Sequence, residues 1–302
     1  MLILQTALIF VSVFVLALLL GAIAAYPVYS ALGYFSDMEF HRVISRTTLC
    51  SGLVLSILYL RFNGLLSLQR IGWQSEVQSK KKIFIRGFAL GILIMFLLDA
   101  LLLLLGIYQF DSAVDTSFKS LAWVILKALL AGLLVGLIEE TIFRGALFGG
   151  LRKQTNASVA LVATSVLYAG VHFLKYRAVP ADVEIGWLTG IEIFPAALFR
   201  FSNPVTIDSF LTLLILGFLF AFIRIRSNSI IPCIGLHAGI VASLKVLNYL
   251  TNYSGGTQFD YLVNKIDHQF GYLASGLLLL CMLVYYFVSS PLQEESSVNG
   301  IS

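Results

Sequence analysis

The chain has 302 residues, of which 59% are apolar and only 12% are charged, and its mean hydropathy is +0.91. These values exclude a water-soluble globular domain, because soluble domains are about 25% charged. The net charge of +4 lies mostly in short connections between apolar runs, so it indicates orientation in a membrane rather than nucleic-acid binding.

Eight apolar stretches of roughly 18 or more residues follow one another along the chain. Such stretches cross a bilayer as helices, because hydrocarbon offers backbone polar groups no partner outside the helix itself. The predicted spans are 4–29, 47–68, 85–107, 121–149, 156–174, 205–224, 228–250 and 269–289. The sequence therefore predicts an all-α polytopic membrane helix bundle with about eight transmembrane helices, which forms one domain over residues 1–302 in the lipid bilayer.

The charged residues of the connections are distributed unevenly. Lys and Arg are concentrated after the second, fourth and sixth spans, whereas Asp and Glu are more frequent in the alternate connections. Cytoplasmic loops of membrane proteins carry the excess of Lys and Arg. We therefore expect a multi-pass integral membrane protein with both termini in the cytoplasm.

The fourth span carries three charged residues, Glu139, Glu140 and Arg144, in an otherwise apolar helix. A charge near mid-bilayer costs roughly 2.5–3.5 kcal/mol, so such residues need partners or a function. Glu140 and Arg144 are four residues apart, the favoured spacing for an ion pair on one helix face, and we expect them to give structural support. Glu139 projects about 100° away from Glu140 and is the expected free carboxylate.

Two histidines lie in later spans, His172 near the end of the fifth and His237 in the seventh, whereas His41 and His268 are expected in loops. Small residues flank both buried histidines, so neighbouring helices can approach closely enough to form a cluster with Glu139. Such a cluster would bind a catalytic zinc ion with water as the fourth ligand. It could equally act without metal, with Glu139 as general base. The sequence leaves both mechanisms open.

The connection from Lys175 to Pro204 is the longest in the chain. Large apolar side chains recur in it: Trp187, Ile191, Phe194, Leu198 and Phe199. A connection this apolar is not a free loop in water. We expect it to lie at the membrane interface or to fold back over the bundle.

Three short motifs follow one another over residues 121–250. They are Glu139-Glu140-x-x-x-Arg144, Tyr168 four residues before His172, and Ser229-Ile230-Ile231-Pro232 leading to His237-Ala238. Their order and spacing resemble the CPBP family of intramembrane endopeptidases, named for CAAX-prenyl proteases and bacteriocin-processing enzymes. The eight predicted spans also agree with the fold of the better-known members.

The resemblance implies hydrolysis of a peptide bond inside the membrane. The substrate would be a peptide, or a prenylated or otherwise membrane-presented protein. Glu139 with His172 would activate the attacking water, and His237 would help to bind a metal or the oxyanion. In the same family pattern, Glu140 and Arg144 would hold the helix.

One position departs from the family pattern. Asn or a related polar residue usually follows the third-motif histidine by four residues, where this chain has Val241. Valine cannot donate a hydrogen bond to an oxyanion, and the nearby Ser243 and Asn248 do not lie on that helix face. A catalytically weak or inactive membrane scaffold or immunity-type protein is therefore the alternative hypothesis. A third is a proton-coupled transporter, whose relay would consist of Glu139, His172 and Asp99.

Overall fold

The computed structural model describes residues 2–288, apart from gaps at 34–37, 63, 65–66, 70, 74–78, 175, 177, 181, 199–206 and 266–268. The helices are α1 Leu2–Leu32, α2 Phe40–Phe62, α3 Lys80–Leu104, α4 Phe118–Glu140, α5 Phe148–Gln154, α6 Ala157–Val171, α7 Thr189–Leu198, α8 Ile207–Ser227, α9 Ile231–Leu250 and α10 Tyr272–Val288. A π-helix, Thr141–Leu147, joins α4 to α5, and a 3-10 turn spans Asp260–Leu262. Strands β1 Tyr108–Phe110 and β2 Thr251–Tyr253 pair antiparallel and tie the end of α3 to the end of α9. This architecture confirms the predicted all-α bundle.

Five helical segments of the described chain are both long and apolar enough to cross a membrane. They are Val11–Leu32, Lys80–Leu104, Phe118–Gln154, Ile207–Ser227 and Ile231–Leu250. Helices α6 and α10 are apolar but shorter. Leucines on α4 such as Leu130 and Leu134 point outward with more than half of their surface exposed, as contact with lipid requires. The protein is therefore an integral membrane protein, and each of the eight predicted spans overlaps a helix of the described chain.

Helix α9 lies between α3 and α4 and meets both through glycines spaced four residues apart. A Cβ atom on any of these glycines would lie 2.2–2.9 Å from a main-chain carbonyl oxygen of the facing helix. The glycines are Gly87 and Gly91 on α3, Gly132 and Gly136 on α4, and Gly235 and Gly239 on α9. Only glycine allows the backbones to approach so closely. The close approach expected around His237 is thereby confirmed.

Helices α1 and α2 pack antiparallel beside this core, and the Thr47 hydroxyl donates to the Gly21 carbonyl at 2.9 Å. Helix α2 begins at Phe40, several residues before the predicted span. The polar residues of its first turns continue the helix, and Arg42 pairs with Glu39 at 3.2 Å. The expectation that His41 lies in a loop is therefore wrong. His268 lies outside the described residues.

Helix α7 occupies the middle of the long apolar connection. It packs on α1, where a Cβ atom on Gly190 would lie 2.3 Å from the Ala22 carbonyl oxygen. Its residue Ala197 joins a buried cluster with Leu18 and Phe40. The connection therefore folds back over the bundle, whereas residues 199–204 lie outside the described ranges.

The π-helix follows Glu139 and Glu140 directly. At its end the Phe148 amide donates to the carbonyls of Phe143 and Gly145, and so passes over the Arg144 carbonyl. Single π-helical turns within α-helices occur frequently at functional sites. Here the wider turn lies where the fourth span was expected to continue as a regular α-helix.

Candidate active site

Three helices bring Glu139, His172 and His237 together. Glu139 lies in the last turn of α4, His172 caps α6, and His237 lies in the second turn of α9. The Glu139 Oε2 atom is 3.8 Å from Nε2 of His172 and 3.8 Å from Nε2 of His237. Within the described part of the chain, this buried oxygen accepts no hydrogen bond. It therefore faces a space shared with the two imidazoles.

Each imidazole is oriented by a partner at its other ring nitrogen. Nδ1 of His172 lies 2.7 Å from the Tyr168 carbonyl oxygen, and Nδ1 of His237 lies 2.8 Å from Glu140 Oε1. Because a carbonyl and a carboxylate only accept, both Nδ1 atoms carry the hydrogen. In the neutral form of either ring, Nε2 is then an acceptor, and it lies 3.8 Å from Glu139 Oε2.

Arg144 holds the carboxylate that orients His237. Both Glu140 and Arg144 are fully buried, and Arg144 Nε lies 3.4 Å from Glu140 Oε2. A second guanidinium nitrogen donates to the Gly217 carbonyl on α8 at 3.1 Å, and the guanidinium covers the Tyr168 ring at 4.3 Å. The ion pair that the spacing predicts is thus present and fixes one end of the site.

The groups facing the shared space are all hydrogen-bond acceptors in their ordinary protonation states. They are the Glu139 carboxylate and the two Nε2 lone pairs. A water molecule can donate only two hydrogen bonds, so it cannot satisfy three acceptors at once. The arrangement therefore suits water together with one additional proton, or a cation.

The donor types fit a zinc ion, but their separation is wide. Zinc–ligand distances of about 2.0–2.1 Å place tetrahedral ligand atoms about 3.3 Å apart. The observed separations from Glu139 are 3.8 Å, and no group of three or more His, Cys, Asp or Glu side chains among the described residues could hold a metal ion. Zinc binding by Glu139, His172 and His237 stays a prediction.

Glu139 and His172 line a cavity of about 410 Å³ enclosed by α1, α2, the π-helix and the end of α6. Most of its wall is apolar. One face of α2 supplies small and polar side chains at helical spacing: His41, Ser45, Thr48, Gly52 and Ser56. The sequence did not predict this wall, because the second span was expected to begin at residue 47 and only charged residues and histidines were considered as site candidates. The spacing of these residues was the available signal.

Val241 lies one turn after His237 on α9, and the nearby polar residues do not replace the family's usual amide. Ser243 lines a separate cavity between α3, α4 and α9, together with Phe88. The Asn248 side-chain oxygen accepts from Gln269. Neither residue lines the cavity that Glu139 borders.

Asp99 also lies apart from the site. Gly91 on α3 faces Leu236 and Ile240 on α9, so Gly91 and His237 lie at about the same height along the two helix axes. Asp99 is eight residues further along α3, about 12 Å beyond that level. This axial offset does not favour a direct relay from Glu139 through His172 to Asp99, which stays a prediction.

Comparison with known protein families agrees with the geometry. Residues 121–243 match the family described as type II CAAX prenyl endopeptidase Rce1-like. The matched segment contains every residue of the candidate site: Glu139, Glu140, Arg144, His172 and His237. No curated protein and no solved structure matches the chain. The ordered motifs and this match over residues 121–243 support a relationship to the CPBP family of membrane proteases.

Proposed function

We propose that this protein is an intramembrane endopeptidase that hydrolyses a peptide bond of a membrane-presented or lipidated protein. The observation that carries the proposal is the buried Glu139 oxygen, which lies 3.8 Å from Nε2 of His172 and of His237 and borders an apolar cavity. The family match over residues 121–243 supports peptide hydrolysis as the reaction class. The cavity wall supports a substrate segment that is itself apolar.

Glu139 is the general base of the proposed reaction. A water molecule in the shared space donates one hydrogen bond to Glu139 Oε2 and the other to Nε2 of His172. As the water oxygen forms a bond to the scissile carbonyl carbon, Glu139 takes its proton. Glu139 then gives that proton to the leaving amine as the carbon–nitrogen bond breaks.

His237 is the proposed donor to the oxyanion. One additional proton would let water satisfy the remaining acceptors of the shared space. We place this proton on Nε2 of His237, because the Glu140 carboxylate 2.8 Å from Nδ1 stabilises a positive charge on that ring. An imidazolium at this position donates from Nε2 to the developing oxyanion. It thereby takes over the role for which Val241 has no suitable atom.

A zinc ion, if bound, would be held by Glu139, His172 and His237. It would supply Lewis-acid stabilisation of the oxyanion and a bound water with a pKa of about 7. Sensitivity of cleavage to chelators separates this mechanism from the metal-free one.

The test uses purified protein in liposomes with a panel of membrane-anchored fluorogenic peptides, some of them lipidated. We expect cleavage by the wild type and a loss of at least about 10²-fold in E139Q and H172A. The matched control is E192Q, which removes an exposed glutamate on α7 and leaves the rate unchanged. Chelation followed by zinc addition is measured in parallel. Equal cleavage by wild type and E139Q would contradict the assignment.

Val241 favours a second candidate function, that of a non-catalytic membrane scaffold. Loss of one oxyanion donor costs about 10²–10³-fold in hydrolases, so a chain without a replacement would bind substrates far better than it cuts them. On this hypothesis wild type and E139Q would retain the same membrane partner equally, and neither would cleave any peptide of the panel.

A further inference from the structure

Arg224, in the last turn of α8, is a buried cation whose hydrogen bonds to the described part of the chain go to neutral acceptors. Only 6% of its surface is exposed. Its Nε donates to the main-chain carbonyl of Arg144 at 3.3 Å, and Nη1 donates to the Asn228 side-chain oxygen at 3.1 Å. Burying a cation costs free energy, so a buried arginine at this position calls for a structural or functional reason.

A strap formed by Ile71, Gly72 and Trp73 covers Arg224 from the side of the connection between α2 and α3. Gly72 has φ +84°, and a Cβ atom there would lie 2.7 Å from Nη2 of Arg224. The Gly72 carbonyl accepts from the Ile230 amide at 2.9 Å at the start of α9. Gly72 of the strap therefore lies directly against the guanidinium, where any larger side chain would collide with it.

The strap also touches the π-helix. The Ile71 carbonyl lies 3.1 Å from where a Cβ atom on Gly145 would stand, and Ile71 packs on Ala146. The wider turn moves the Phe148 amide past the Arg144 carbonyl, and Arg224 Nε donates to that carbonyl instead. Arg224 thus binds the main chain of the residue whose side chain holds Glu140.

We propose that Arg224 is a positioning residue of the active site, held in place by the strap. This inference rests on the proposed function. Arg224 fixes the Arg144 main chain, the Arg144 side chain fixes Glu140, and Glu140 fixes the ring of His237. Lysine cannot replace it, because a single ammonium group cannot reproduce the two fixed donor directions of the guanidinium.

The experiment compares wild type, R224K, G72A and the R224K/G72A double variant in the liposome cleavage assay. R224K and G72A are each expected to lower kcat by roughly 10- to 100-fold with KM changed less than about twofold, since both misplace catalytic groups. The double variant is expected to be no slower than the slower single variant, because both changes act through one path. R226K is the matched control: Arg226 lies two residues further on α8 and contacts the rings of Phe222 and Tyr286.

Three outcomes overturn the inference: R224K as fast as R226K, additive losses in the double variant, or loss of cooperative thermal unfolding in R224K. The last would make Arg224 a residue of general stability. If the wild type cleaves nothing, the proposed function fails instead. The positioning role is then read from the nitrogen resonances of histidine-labelled protein, where R224K should shift the Nδ1 resonance of His237, whose hydrogen is donated to Glu140, and R226K should not.

Discussion

Replacement of Arg144 by methionine tests whether the buried ion pair holds the site together. Both partners are fully buried and 3.4 Å apart, which gives an attraction of about 5 kcal/mol at an effective dielectric constant of about 20. Removing the guanidinium leaves Glu140 buried without its cation, and breaking a buried pair in this way costs about 3–5 kcal/mol. We therefore expect the midpoint of thermal unfolding to fall by roughly 6–20 °C in R144M.

The assay is thermal unfolding of purified protein in detergent, followed by tryptophan fluorescence. The control is R226M, which removes the same charge from a residue that contacts two rings, and we expect it to cost less than about 1 kcal/mol. The double variant E140Q/R144M should recover part of the loss, because the unpaired carboxylate is gone. A midpoint for R144M equal to that of R226M would refute the reasoning.

Three further predictions concern the oxyanion, the cavity and the N-terminal end of α4. V241N should raise kcat by up to about 10²-fold, because it adds a hydrogen-bond donor one turn after His237. The control V241L should keep the kcat of the wild type, and equal kcat values for V241N and V241L would contradict the prediction. G52L should raise KM, because the leucine side chain enters the cavity that Gly52 lines. The unfolding temperature should not fall, because a Cβ atom at Gly52 makes only an ordinary contact at 3.6 Å. An unchanged KM would contradict substrate binding in this cavity. Hydrogen bonds from Ser120 and Ser117 hold the pKa of Asp115 below its usual range. The ionised Asp115 therefore contributes to the free energy of unfolding fully above about pH 4, and this contribution is lost as the pH falls through the lowered pKa. D115N should therefore flatten the acid side of a plot of unfolding temperature against pH, and an unchanged plot would contradict the assignment.

The sequence was sufficient to predict the features that depend on local spacing. The four-residue step from Glu140 to Arg144 gives an ion pair on any regular helix, and the structure contains it. Small residues on both sides of His237 predicted close helix packing, which the glycine contacts of α9 confirm. The family motifs indicated that Glu139, His172 and His237 form one cluster, and both histidines lie 3.8 Å from Glu139.

The remaining features depend on contacts between distant segments. The amphipathic start of α2 has no long apolar run, so its helix could not be read from hydropathy, and His41 was misplaced. Arg224 looked like one more cytoplasmic cation, because its burial depends on a strap from residues 71–73 that comes about 150 residues earlier in the chain. No local pattern distinguishes a π-turn at Thr141 from a continuing α-helix.

The π-helix after Glu140 has a consequence for how this segment tolerates changes in length. An i to i+5 turn contains one residue more than an α-helical turn, so the extra residue is absorbed locally and the helices on either side keep their faces. A relative with one residue fewer here would keep the same bundle, yet its Arg144 carbonyl would return to an ordinary helical hydrogen bond. An arginine at position 224 would then lose its acceptor, so the length of this turn and the identity of residue 224 should vary together.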